Sequence, residues 1–391
     1  MTPAARLQAA IEILDEVIIS ARDNGPPSDV TVTRYFKQRR YAGSKDRRAV
    51  RELAFRAIRH SGERPSSGRA AVLGLAVDEP ALLDLFGEPR GPDQLREGEE
   101  RPSASAVPTW LQAELSPLVG ESEWPDLLER APVDLRVNAS RISRDELLFR
   151  FERASATPLS PWGIRLAPDS RVDDSSAFAA GLFEVQDEGS QLIALACLPA
   201  DGERLLDLCG GAGGKALALA AAAPGAQVLA TDTNRARLSK LAPRAERAGV
   251  AIETRLLNPP RELEELNDWR QSADLVLVDA PCSGSGTWRR NPEGRWRLTP
   301  ERLDRLVEVQ HRLLDIAAQL VRPGGRLVYA VCSLLSREGA GQIERFQASH
   351  SSWISDETSI LGGRRDGSGR LLTPGHDRTD GFFVARLFRP C

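Results

Sequence analysis

The chain has 391 residues, 41% apolar and 27% charged, the balance of an ordinary globular protein long enough for two or three domains. A net charge of −3 excludes a uniformly basic nucleic-acid coat protein, and no apolar run reaches the length of a membrane span or of a signal-peptide core. Cys197, Cys209, Cys282, Cys332 and Cys391 are odd in number and scattered, which excludes a disulfide framework, and no Cys/His cluster offers a metal site. A cytoplasmic protein with no membrane contact is expected.

Residues 5–22, 45–60 and parts of 70–86 carry Leu, Ile, Val and Ala at helical spacing, predicting an all-α domain over 1–86. Its charge is uneven. Between Arg34 and Arg69 twelve Lys/Arg stand against Asp46, Glu52 and Glu63, interleaved with Tyr35, Phe36, Tyr41 and Phe55. That pattern suits contact with RNA or phosphate, although a solvated face in an arginine-rich chain also produces it. The Pro-, Gly- and Ser-rich stretch 87–107 reads as a linker. From 108 to 200, strand-like "LRVNASRI" and "FEVQDEG" flank helix-like "RDELLFRFERA", predicting a small α+β subdomain.

After residue 201 strands and helices alternate regularly. "RLLDLC", "AQVLATD", "AIETRLL", "ADLVLVDAP", "GRLVYAVCS" and "GFFVARLF" read as strands, with helices at 215–223, over "RARLSKLAPRAERAG" and at 300–321. The expectation is an α/β domain over 201–391, a Rossmann-like parallel sheet whose ligands bind beyond the strands' carboxyl ends.

Three motifs fall at those ends. "DLCGGAGGK", Asp207 to Lys215, lets backbone approach a ligand; Ala216 after Lys215 excludes a P-loop, which needs Ser or Thr there. Asp232, ending the second strand, is placed to accept from ribose hydroxyls or to cap a helix. "DAPCSGSG" (279–286) and "VYAVCS" (328–333) put Cys282 and Cys332 at two further strand ends.

In combination these motifs resemble the S-adenosylmethionine-dependent RNA cytosine-C5 methyltransferases of the NOL/NOP/Sun family, and most closely the bacterial Fmu/RsmB type that acts on small-subunit ribosomal RNA. "RVN" (136–138), "VQDEGSQL" (185–192), "RRNPE" (289–293) and "DGFF" (380–383) follow in family order. The resemblance implies a class I methyltransferase sheet, an N-terminal NusB-like RNA-binding domain, ribosomal RNA as partner and S-adenosyl-L-methionine as cofactor. Cys209, Gly210, Gly211, Ala212, Gly213, Gly214, Lys215, Asp232, Asn258 and Asp279 would hold that cofactor. The chain departs from the family turn D-x-C-A-A-P-G-G-K-T at Gly210, Gly211, Ala212 and Ala216. It has Asn258 where an aspartate is usual, and Asn258→Asp is expected to tighten cofactor binding.

C5 of cytosine is a poor nucleophile until a thiolate adds to C6, which splits one hard step into two easier ones. By the resemblance Cys332 attacks and Cys282 releases product, with Asp279 and Lys215 assisting; the order familiar from DNA enzymes would make Cys282 the nucleophile. Arg289, Arg290, Arg295 and Arg297, with Trp288 and Trp296, form a loop expected to hold RNA phosphates and stack on an extruded base, or else to anchor its tryptophans in a core. His60, His311, His350 and His376 read as structural. A monomer is expected. The competing readings are a non-catalytic RNA-binding assembly factor and a transfer-RNA methyltransferase.

Overall fold

The computed structural model describes residues 1–168, 170–356 and 359–391. The chain divides into two compact units. One comprises residues 1–115, 120–129 and 287–300, the other 116–119, 130–286 and 301–391.

The first unit is built on α1 (Pro3–Arg22), α2 (Ser28–Gln38), α3 (Ser44–His60) and α4 (Gly68–Leu75). Thr2 caps α1 through its Oγ1, with Pro3 pre-set at the first helical position, and Ser67 caps α4. Leu7, Leu14, Val17, Val50, Ala54 and Ile58 close the core. A methyl group on Gly68 would stand 2.2 Å from the Ile11 carbonyl oxygen, so α4 crosses α1 closely only because that residue is glycine. The stretch read as a linker folds back onto this unit, where Arg69 binds Glu99 and the carbonyls of Asp93 and Gln94.

Residues 287–300 also belong here, and they correct the expectation of an RNA-stacking loop. Trp288 and Trp296 are buried, and the Trp296 indole donates to the Ser61 carbonyl at 2.9 Å. Three charged residues of this segment, Glu293, Arg295 and Arg297, cap helix ends. Glu293 accepts from the Ser28 backbone N–H at 2.9 Å, at the start of α2, whose Pro27 cap has no side chain to do so. Arg295 is buried and donates to the Ile58 and Arg59 carbonyls at the end of α3, and to those of Ser105 and Ala106. Arg297 donates to the carbonyls of Ser20, Gly25 and Pro26 around the end of α1. Acid at a helix start and guanidinium at helix ends is the arrangement the helix dipole favours.

In the second unit β1 (Val133–Val137), β2 (Ser155–Ala156), β3 (Gly163–Leu166) and β4 (Phe183–Val185) form an antiparallel sheet in the order β2-β3-β1-β4. The main sheet contains β5 (Arg204–Asp207), β6 (Gln227–Asp232), β7 (Glu253–Leu256), β8 (Ala273–Asp279), β9 (Val321–Val331), β10 (Ile354–Ser355), β11 (Arg364–Asp366), β12 (Gly369–Leu372) and β13 (Phe382–Phe388). Its order is β11-β12-β13-β9-β8-β5-β6-β7, with β10 on β13. Pairs from β7 to β9 are parallel, while β13 joins β9 antiparallel. The predicted helix over "RARLSKLAPRAERAG" is two, Arg235–Leu238 and Leu241–Ala248. Pro243 explains the break: it has no N–H to donate, and its ring crowds the carbonyl four residues back, at Ser239.

Candidate active site

The main sheet reverses direction between β5 and β8. The chain leaves β5 towards β6 and β7, then returns to β8 on the other side, which opens a crevice beyond the carboxyl ends. Asp207 ends β5, Asp232 ends β6, Asp279 ends β8, and Cys332 follows β9. Register fixes their relative heights, since Asp207 lies opposite Leu277 and Asp279 opposite Ala330.

Between Asp207 and the helix Gly214–Ala222, Gly211 and Gly213 take φ of +55° and +87°, which glycine adopts without cost. A Cβ at Gly213 would lie 2.6 Å from the Leu241 Cγ, so the turn is also packed too tightly for a side chain. Gly210 N–H donates to the Thr231 carbonyl at 2.7 Å, joining the turn to β6. The residues replacing the usual family turn thus still build a closed cradle. Around it stand three carboxylates. Asp207 is buried with an Oδ1 that meets no donor, and Asp232 accepts from the Asn234 N–H at 2.6 Å. Burial and the neighbouring charge of Asp279 push the Asp207 carboxyl up to about 7.

The third carboxylate is paired. Lys215 Nζ donates to Asp279 Oδ2 at 2.6 Å, and its ammonium lies 5.7 Å from the centre of the Phe382 ring. Burial works against the Lys215 charge, but Asp279 outweighs it and the pKa is raised. Cys209 is a bystander to nucleophilic chemistry, since burial and then Asp207 hold its thiol well above the usual range.

The two remaining cysteines meet. Cys282 Sγ lies 3.3 Å from Cys332 Sγ, and both are half-buried. The Cys282 pKa is pushed well up, first by its hydrogen bond to Cys332, then by burial and by the charges of Cys332 and Glu338. The geometry of the contact suits either sulfur as donor. Ala280 N–H donates to the Ala330 carbonyl at 2.9 Å and Gly286 N–H to that of Cys332 at 3.1 Å, which lock the two cysteine segments together. A Cβ on Gly286 would stand 2.0 Å from the Gly381 carbonyl oxygen, so "GSG" and "DGFF" meet at a position only glycine can occupy.

A protein-family profile described as 16S rRNA methyltransferase RsmB/F matches residues 194–388. Two curated proteins from Klebsiella pneumoniae, both described as ribosomal RNA small subunit methyltransferase B, are similar: one is 33% identical over 290 residues, 72% of this chain, and the other 34% over 303 residues, 75% of this chain. The chain belongs to the RsmB/F methyltransferase family. It spans about two thirds of the length of these relatives, 66% and 69%. The crystal structure of PH0851 is similar in fold over 99% of both chains, with 21% identity and a TM-score of 0.78.

In this RsmB/F family member the motifs in family order have assignable structural jobs. Arg136 of "RVN" donates to Gln186 Oε1 and to the Gly214 carbonyl, both at 2.6 Å, tying the small sheet to the cradle. Asp187 of "VQDEGSQL" caps the helix Glu188–Ala196 and accepts from the Asp380 N–H. Neither Arg136 nor Gln186 was marked as a site residue by its sequence position, because the contact with Gly214 joins residues 78 apart.

Asn258 follows the third strand as expected, but it is exposed and engaged. Its amide donates to Glu265 Oε1 at 2.9 Å and its backbone N–H to Glu265 Oε2 at 2.8 Å. An aspartate there would lose the donor and face a like charge, which removes the reason to expect tighter cofactor binding from Asn258→Asp. Among the described residues no helix is long and apolar enough to cross a membrane, and no cluster of His, Cys, Asp and Glu is arranged for a metal.

Proposed function

We propose that the chain is an S-adenosylmethionine-dependent RNA cytosine-C5 methyltransferase of small-subunit ribosomal RNA. One observation carries this reading: two thiols in contact at 3.3 Å, one strand end away from the Lys215–Asp279 pair. A binding factor has no use for that arrangement. Cys332 Sγ adds to C6 of the base, Asp279 with the Lys215 proton holds the N3/N4 edge as the ring gains electron density, and Cys282 serves elimination of the adduct.

The cradle fits the methyl donor. Asp232 accepts from ribose hydroxyls, the turn from Cys209 to Lys215 lets backbone approach, and Asn258 stands beside the adenine end. Asp207, and Asp232 although it faces Arg237 at 3.8 Å, offer carboxylates to a ligand with a positive centre. Bound there, S-adenosylmethionine supplies the electrophilic methyl group. Asp207 makes that preference depend on pH, because its carboxyl is neutral below about 7 and anionic above. Calorimetric titrations from pH 6 to 8 are expected to show the sulfonium gaining affinity over its neutral product, S-adenosylhomocysteine, as pH rises. A ratio of affinities that stays flat would remove Asp207 from the pocket.

The first unit is proposed to bind the RNA. Lys37, Arg40, Lys45, Arg48 and Arg51 are exposed beside Tyr41, which is 77% exposed. Arg39 and Arg47 serve the fold instead, bonded to Glu12 and to the Ala42 carbonyl. Replacing Arg40, Lys45, Arg48 and Arg51 by glutamine is expected to flatten the slope of log affinity against log salt, by roughly 0.7 per lost phosphate contact. Filter binding over a salt series measures it, and an unchanged slope would rule the face out.

Bisulfite sequencing of 16S ribosomal RNA and of transfer RNA, after incubation with the protein and cofactor, tests the whole reading. New 5-methylcytosine in ribosomal RNA supports it, the same mark in transfer RNA alone reassigns the substrate, and none in either leaves a binding factor.

A further inference from the structure

Glu338 lies six residues after Cys332, in a polar run that gives no hint of a role, and it is 0% exposed. Its Oε1 accepts from the Ser283 N–H at 2.8 Å and from Gln310 Nε2 at 2.9 Å, and its Oε2 accepts from Ser333 Oγ at 2.6 Å. Ser283 follows Cys282, and Ser333 follows Cys332. Gln310 Nε2 also donates to the carbonyl of Pro281, the residue before Cys282, at 2.9 Å. The hydroxyls of Ser283, Ser285 and Ser333 lie 3.1–3.2 Å from one another, and Ser285 Oγ accepts from the Leu334 N–H. One carboxylate therefore holds the chain on both sides of the sulfur pair.

Neutral groups suffice for tethering, and a buried charge is costly to retain. The charge has a second use here. Lys215 interacts electrostatically with Cys332, whereas Glu338 acts on Cys282, so opposite charges flank the two sulfurs. The other titratable neighbours do not reverse that field. Tyr329, whose hydroxyl donates to the Glu338 carbonyl at 2.7 Å, and Cys209 are both held protonated by burial, while Asp279 is paired to Lys215, on which Asp207 also acts.

We propose that Glu338 is a positioning residue that sets the two sulfurs in contact and keeps their shared proton on Cys282, leaving the negative charge to Cys332. This rests on the reading of Cys332 as nucleophile, and it explains how two adjacent thiols take different roles. It calls for one carboxylate rather than for two different cysteine environments in sequence.

Alkylation of the full chain by iodoacetamide across pH, with peptide mass spectrometry reading each cysteine separately, tests the idea without RNA or cofactor. In the wild type Cys332 is expected to react at lower pH than Cys282. Glu338→Gln keeps the length and most hydrogen bonds but removes the charge, and is expected to lower the Cys282 midpoint by about one pH unit, roughly tenfold in rate below it. Glu338→Asp keeps the charge and is expected to leave the Cys282 midpoint near wild type. A purely structural tether gives the reverse pattern, with the shortened Asp disturbing the pair and the isosteric Gln leaving it alone; that result overturns the proposal. Should Glu338→Gln fail to fold by thermal melting, Cys332→Ala serves instead. There burial and Glu338 together are expected to keep the Cys282 midpoint above that of a free thiol, about 8.5, and a value at or below it overturns the proposal. Absence of methylated cytosine would sink the proposed activity while leaving this alkylation order intact, so the two failures are distinguishable.

Discussion

Cys332→Ala is expected to lose methylation by roughly 10⁴-fold or more and to form no covalent adduct with RNA, whereas Cys282→Ala is expected to accumulate one. The asymmetry follows from reaction order. Removing the attacking sulfur prevents the first bond, while removing the sulfur that serves elimination traps the intermediate already made. The structure sets the two sulfurs in contact at 3.3 Å, and the Cys282 thiol is held well above the usual cysteine range, first by that contact and then by burial. Denaturing gels with labelled RNA and S-adenosylmethionine read both variants. An adduct that persists in Cys332→Ala and vanishes in Cys282→Ala would exchange the roles.

Asp279→Asn is expected to slow attack itself by about 10²-fold or more, the scale on which a single preorganised electrostatic group acts at a reacting centre. The carboxylate stands at the end of β8 with Lys215 Nζ 2.6 Å away, and in the proposed reaction that pair faces the base edge. Asn keeps the shape and an oxygen that accepts from the ammonium, but loses the charge. The double variant Cys282→Ala/Asp279→Asn is therefore expected to show little adduct, because the trap comes after a step that no longer runs. Quench-flow sampling of adduct formation separates this from an effect on release. Adduct building up in the double variant as fast as in Cys282→Ala would remove Asp279 from the attack step. Lys215→Met is expected to match Asp279→Asn, since it leaves the carboxylate without the ammonium that shares the proton.

Much of this protein was legible in the amino-acid sequence, for reasons of short range. Alternating apolar runs and helical spacing set out the strands and helices of residues 201–391, and glycines marked the turn after β5, where φ is positive at Gly211 and Gly213. Strand ends at Asp207, Asp232 and Asp279 were visible because each closes an apolar run, and parallel strands carry their ligands at that end. Cys282 and Cys332 stood out for the same reason. What the sequence left open was every feature that depends on residues far apart coming together. The contact of the two sulfurs spans 50 residues, and the Glu338 network joins loops that share no local pattern. The loop of Trp288 to Arg297 has the composition of an RNA-contacting segment. It became a helix-capping insert of the first unit because Arg295 and Arg297 found the carbonyls of Ile58, Gly25 and Pro26. Composition records which charges are present. Only the tertiary structure decides whether a guanidinium faces water, a phosphate or the open end of a helix, because that choice is made by the nearest unpaired acceptor in space.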